Sequence, residues 1–144
     1  MNPNQIELSF SSRAENLSAA RMVIASVGSQ ADLMLNDIED LKVGVSEAVT
    51  NAIVHGYQND PDGVVALMIQ SDEDKIQIIV RDQGCGIADI ELAMQPSFSS
   101  DPERMGLGFV FMKSFMDELT VDSQLNEGTT VTLVKYLQHP PSSH

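Results

Sequence analysis

The sequence predicts an α+β domain, a two-layer α/β sandwich whose mixed, mostly antiparallel sheet carries its helices on one face. Three observations predict it. Two pairs of β-rich runs, VVALMIQ with KIQIIVRD and ELTVDSQ with TTVTLVKYL, are each joined by a short polar link, the pattern of hairpins. Two segments of helical periodicity follow one another between the first strand and the second, so the order is not a regular βαβ alternation. The 144 residues suit one domain, and 42% hydrophobic residues supply a core that relies on Ile, Leu, Val and the eight Met, since there is no Trp.

Each element has its own signal. QIELSF alternates, with Ile6, Leu8 and Phe10 on one face, as a half-buried strand does. Ser12 followed by Glu15 fits a capping box and predicts a helix from that point. Leu17, Ala20, Ile24 and Val27 form its apolar stripe, and Gly28 is the expected stop. Asn36, with Glu39 three residues on, predicts the cap of a second helix. Ile38, Leu41, Val45, Ala48, Val49 and Ala52 carry that helix to about His55, where Gly56 ends it. QNDPDG is turn chemistry ahead of the first hairpin, and DQGCGI breaks its second strand. A short helix is expected over 89–94 and another helix over 108–117. Between them QPSFSSDPERMGLG, with two Pro and two Gly, reads as a mobile loop. The last hairpin turns at NEG, and HPPSSH is expected to be a disordered tail, so that residues 1–137 form the single domain and 138–144 the tail.

Charge narrows the function classes. A net charge of −13 argues against non-specific nucleic-acid binding, which needs Lys and Arg on phosphates, and against an anionic membrane surface. No signal-peptide pattern and no apolar run of membrane-spanning length is present. Cys85 is the single cysteine and has no partner for an internal disulfide, so a cytoplasmic location is expected.

Four constellations could carry chemistry. Glu47, Asn51 and His55 recur every four residues and so share one line on a helix, beside the core stripe. On the helix alone this line reads as a solvated face. A mid-helix Asn competes for backbone hydrogen bonds, which favours a functional reason for it. A carboxylate there can deprotonate or align a hydroxyl, and an amide oxygen is a hard ligand suited to Mg²⁺. His55 fits either a position near phosphate or a helix C-terminal cap. In VRDQGCGI, Asp82 ends an apolar strand ahead of Gly84 and Gly86. A carboxylate there can accept from a purine amine, although a plain turn has the same residues. In MGLGF, Gly106 and Gly108 at a helix start can expose N–H groups to an anion, and Arg104 just before them can reach a phosphate. In NEGTTV, Thr129 can place a hydroxyl in a pocket, or be an ordinary β-branched strand residue.

In this order, E-x-x-x-N, D-x-G-x-G, G-x-G and G-T resemble the boxes of the GHKL ATPase/kinase superfamily, which includes gyrase, MutL and the histidine kinases. FSSRAEN, SEAVTNAIVHGY, VRDQGCGI and GLGFVFMKSFMDEL are similar to its small anti-sigma factor serine kinases, over nearly the whole chain. The resemblance implies a Bergerat-type fold that binds ATP or ADP with Mg²⁺. It implies Glu47 as general base and Asn51 as Mg²⁺ ligand. Asp82 would bind adenine, with Gly84 and Gly86 in the pocket wall and Thr129 near the base. Gly106 and Gly108 would face the phosphates, Arg104 would be the lid arginine, and Arg21 would touch protein partners. The implied activity is binding of a sporulation-type sigma factor, together with phosphorylation of a serine on an anti-anti-sigma factor, by a homodimer. The alternatives are a stress-response kinase of the anti-sigma B type, a detached histidine-kinase ATP domain, and a binding module without catalysis. A histidine kinase usually carries Asn where Glu47 stands. The chain departs from the family pattern at DPERM, a short lid, and at Leu17, where the family often has a glutamate.

Overall fold

The computed structural model describes residues 3–94 and 105–137. Five strands, β1 (Asn4–Ser11), β2 (Val64–Ser71), β3 (Lys75–Asp82), β4 (Glu118–Gln124) and β5 (Gly128–Tyr136), form one sheet in the order β1-β2-β3-β5-β4. The mainly antiparallel sheet expected from the hairpins is antiparallel at every pairing among the described residues. Among the described residues four α-helices accompany it: α1 (Leu17–Gln30), α2 (Leu35–Asn51), the short α3 (Ile90–Ala93) and α4 (Met105–Phe115). α2 packs between α1 and α4 and touches β3 and β5.

The strand period of two divides the sheet into faces. Val65, Leu67 and Ile69 of β2 are buried, as are Ile76, Ile78 and Val80 of β3 and Val131 and Leu133 of β5. Register matches these sets: Leu67 lies opposite Val80, and Ile78 opposite Leu133. Against this face the helices bring Ile24, Leu41, Val45, Val49, Phe109 and Met112, all with almost no exposure. Each such side chain contributes about 1.5–3 kcal/mol through removal from water.

Several helix boundaries differ from the sequence expectation. Ser12 and Glu15 form no capping box. The chain instead makes a 3-10 turn over Ala14–Asn16, and the buried Ser12 hydroxyl donates to the Asp60 carbonyl, tying the end of β1 to the turn before β2. Gly28 does not stop α1, which runs on to Gln30. It lies where α1 meets α2: a Cβ there would sit 2.8 Å from Ile38 Cγ1, so small size and not chain reversal explains the glycine. Asn36 is inside α2. Met34 takes the extended cap position, with no side-chain cap bond. The α-helical hydrogen bonding of α2 ends at Asn51, and Ala52–Gly56 is a π-helical turn. α4 begins at Met105, earlier than expected, so Gly106 and Gly108 are inside its first turn. Of the loop expected over 95–108, residues 105–108 are helical and 95–104 lie outside the described residues, as does the tail 138–144.

Candidate functional site

Alternation along β3 buries Asp82: two residues beyond Val80, it falls on the same helix-covered face and is 6% exposed. Its Oδ1 accepts from the Gly84 N–H at 2.9 Å, and the Thr129 N–H also donates to the carboxylate. Burial raises its pKa above the ordinary value of 3.8, and the two backbone donors pull part of the way back down. Asp82 lies opposite Thr129 in the β3–β5 register, so the strand pairing brings both candidate side chains to one spot.

The glycines let the backbone close around this carboxylate. A Cβ on Gly84 would stand 2.1 Å from the Gly56 carbonyl oxygen, so the turn after β3 can press on the end of the π turn only without a side chain. Gly86 has φ +74, a left-handed conformation that disfavours other residues, and its Cα approaches the Gln124 carbonyl. Cys85 between them is a fastener. Its N–H donates to Gly56 O at 2.8 Å and its thiol to His55 O at 3.1 Å.

The second part of the site is on α2. Glu47 and Asn51 are one turn apart, and both meet the first turn of α4. A Cβ on Gly108 would be 3.2 Å from Glu47 Oε2 and 3.3 Å from the Asn51 amide. Among the described residues Asn51 Nδ2 is buried with no hydrogen-bond partner, an unsatisfied polar group that calls for an explanation. Rotating the amide by half a turn offers its oxygen in the same place. An amide oxygen beside a carboxylate fits a hard divalent cation that takes its remaining ligands from phosphate and water. The described residues contain no cluster of three His, Cys, Asp or Glu for a metal, so such a cation would rest on few protein oxygens.

Asn51, His55, Gly56, Asp82, Gly86, Ile87 and Thr129 bound one small cavity of about 20 Å³, room for a single water. Glu47 also lines a second, open groove of about 350 Å³ with Arg21, Glu39, Lys42, Val43 and Ser46. Arg21 Nε donates to Ser46 Oγ at 2.7 Å, and Ser46 Oγ in turn donates to Lys42 O. Glu47 therefore meets the first turn of α4 beside Asn51 and also lines the open groove.

The structure thus gathers Asn51, Asp82, Gly86 and Thr129 around one cavity, with Gly84 behind it. Glu47 and Gly108 meet beside Asn51, Gly106 shares the first turn of α4, and Arg21 stands apart on the groove. Arg104 lies outside the described residues. Three participants escaped sequence reasoning. Gly56, read only as a helix end, has its Cα against the Asp82 carboxylate. Tyr57 donates to Val64 O at 2.6 Å and accepts from the Gln83 N–H at 2.7 Å, bracing the turn after Asp82. Ser123 contacts Thr129 Oγ1 at 2.8 Å and accepts from the Ile87 N–H. Ser123 was findable, because it is the polar member of the inward set Leu119, Val121, Ser123 and lies across the hairpin from Thr129.

Comparison with known proteins gives the family. The family described as histidine kinase-like ATPase domain matches residues 10–135. The chain is 47% identical over 136 residues to the anti-sigma F factor of Geobacillus kaustophilus, covering 93% of each chain. It is 44% identical to that of Clostridium beijerinckii, covering 94% of this chain and 96% of the relative. A solved structure of the RsbU and RsbW domains of a Mycobacterium tuberculosis protein shares the fold, with a TM-score of 0.66 at 22% identity over 95% of this chain and 33% of that one. An Erythrobacter litoralis blue-light activated histidine kinase matches with a TM-score of 0.56 at 24% identity, over 84% of this chain and 42% of that one. On its sequence and on its fold, the chain belongs to the histidine kinase-like ATPase family and, within it, to the anti-sigma F factors.

Proposed function

We propose that the chain is a cytoplasmic anti-sigma factor that binds a sporulation-type sigma factor and, with Mg-ATP, phosphorylates a serine of an anti-anti-sigma protein. The observation that carries this reading is the position of Glu47, which touches the first turn of α4 beside Asn51 and also lines the groove that holds Arg21. One carboxylate is thus shared by a nucleotide side and a protein side.

In this reading adenine lies against Asp82 and Thr129, and the small cavity widens to admit it. The phosphates lie at the start of α4, where the free N–H groups and the helix dipole favour anions. Asn51 would hold Mg²⁺, which supplies charge neutralisation on the phosphates. Glu47 accepts the proton of the acceptor serine, or aligns its hydroxyl, as the γ-phosphoryl group transfers. Arg104 is assigned to the lid, facing the transferring charge. The Arg21 groove serves sigma factor and anti-anti-sigma factor in turn, on a homodimer.

The test is incubation with candidate anti-anti-sigma proteins, Mg²⁺ and labelled ATP, followed by phosphoserine mapping. Glu47→Ala is expected to lower transfer by about 100-fold or more while ATP still binds. Absence of transfer by the wild-type chain to every candidate would leave a binding module. Normal transfer by Glu47→Ala would remove Glu47 from the chemistry.

A further inference from the structure

We infer that Ser123 is a positioning residue that holds the Thr129 hydroxyl as a hydrogen-bond acceptor toward the base, and so favours adenine over guanine. The inference rests on the nucleotide-binding reading above.

Ser123 Oγ has three neighbours. The Ile87 N–H, 2.8 Å away, can only donate to it. The Gly128 carbonyl, 3.1 Å away, can only accept from it. Thr129 Oγ1, 2.8 Å away, can do either. Ser123 has one proton, and we assign it to the carbonyl, which has no proton to offer in return, whereas Thr129 can supply its own. The contact between the two hydroxyls is then completed by the Thr129 proton, and every group in the cluster is satisfied.

Thr129 is left with lone pairs only for anything entering the cavity it lines with Asp82. The Asp82 carboxylate also only accepts. Such a wall complements the exocyclic amine of adenine and opposes the carbonyl oxygen that guanine carries at the same position. Without Ser123 the Thr129 hydroxyl turns freely and can donate to that oxygen.

The experiment is equilibrium titration of the full chain and its variants with ATP and with GTP, alongside thermal unfolding of each. Ser123→Ala is expected to narrow the ATP-over-GTP affinity ratio by about tenfold or more. Ser123→Thr keeps a hydroxyl on a strand-favouring side chain and is expected to restore the ratio. If Ser123→Ala does not fold, Thr129→Val, which removes the acceptor, is expected to narrow the same ratio. An equal loss for both nucleotides, or an unchanged ratio, overturns the role of Ser123 while leaving the nucleotide site standing. Binding of neither nucleotide by the wild-type chain overturns both.

Discussion

At position 82 the fold buries a carboxylate, and the consequence for stability has a definite sign. Its pKa is raised above 3.8, mainly by burial, against the opposing donation from Gly84 and Thr129. A group whose folded pKa lies above its unfolded value favours the folded state fully below the unfolded pKa. That contribution is lost as pH rises through the folded pKa. Asp82→Asn keeps the shape and removes the charge. It is expected to melt at a higher temperature than wild type at about pH 7, with the advantage shrinking toward about pH 4. Nucleotide titration of the same variant is expected to show loss of adenine binding. A variant less stable than wild type at the higher pH would mean that the backbone donors outweigh burial. Asp82, Glu47 and Asn51 were legible as candidate site residues because their spacing carries the family pattern. Ser123 could be read from its place in the alternation of β4 opposite Thr129, whereas Gly56 could not, because its contact with Asp82 depends on how the turn after β3 packs.

Among the elements, the π-helical turn Ala52–Gly56 ends, like any helix, in carbonyls without a partner inside the helix. Those of His55 and Gly56 accept from the Cys85 thiol and N–H, so the helix end and the turn after β3 become one unit. Tyr57 completes it from the other side, joining the start of β2 to Gln83. Tyr57→Phe removes both bonds and leaves the Gln83 N–H without its acceptor. The expected loss is about 1–3 kcal/mol in denaturant unfolding, accompanied by weaker nucleotide binding. Stability lost with nucleotide affinity intact would separate Tyr57 from the site. Periodicity predicted the existence and order of the helices and strands, since apolar spacing follows from which face is buried. It could not predict the boundaries at Ser12, Gly28 and Asn36. Ser12 is drawn to a distant carbonyl, Gly28 is set by the approach of α2, and Asn36 is bypassed by a cap at Met34.

For the whole molecule, one core supports the site and ligand binding feeds back on it. A ligand that binds only the folded chain stabilises it by about 2.7 kcal/mol at a concentration near 100 times its Kd. Mg-ATP at that level is expected to raise Tm by roughly 5–10 °C in a chain of this size. Asn51→Ala is expected to lose most of that rise at the same concentration, yet to melt near wild type without ligand, because Asn51 Nδ2 has no internal bond to lose. A full rise in Asn51→Ala would show that the amide does not help hold the nucleotide and its cation. The chain's sequence by itself determined the α+β class, the hairpins, the core stripes and the line of Glu47 and Asn51, because each follows from local spacing and the period of a helix or strand. Tertiary structure alone decided that this line meets Gly108, that Asp82 faces Thr129 and Gly56, and that Ser123 Oγ lies against the Thr129 hydroxyl. Those are contacts between elements distant along the chain, and their geometry depends on packing and register that no single segment encodes.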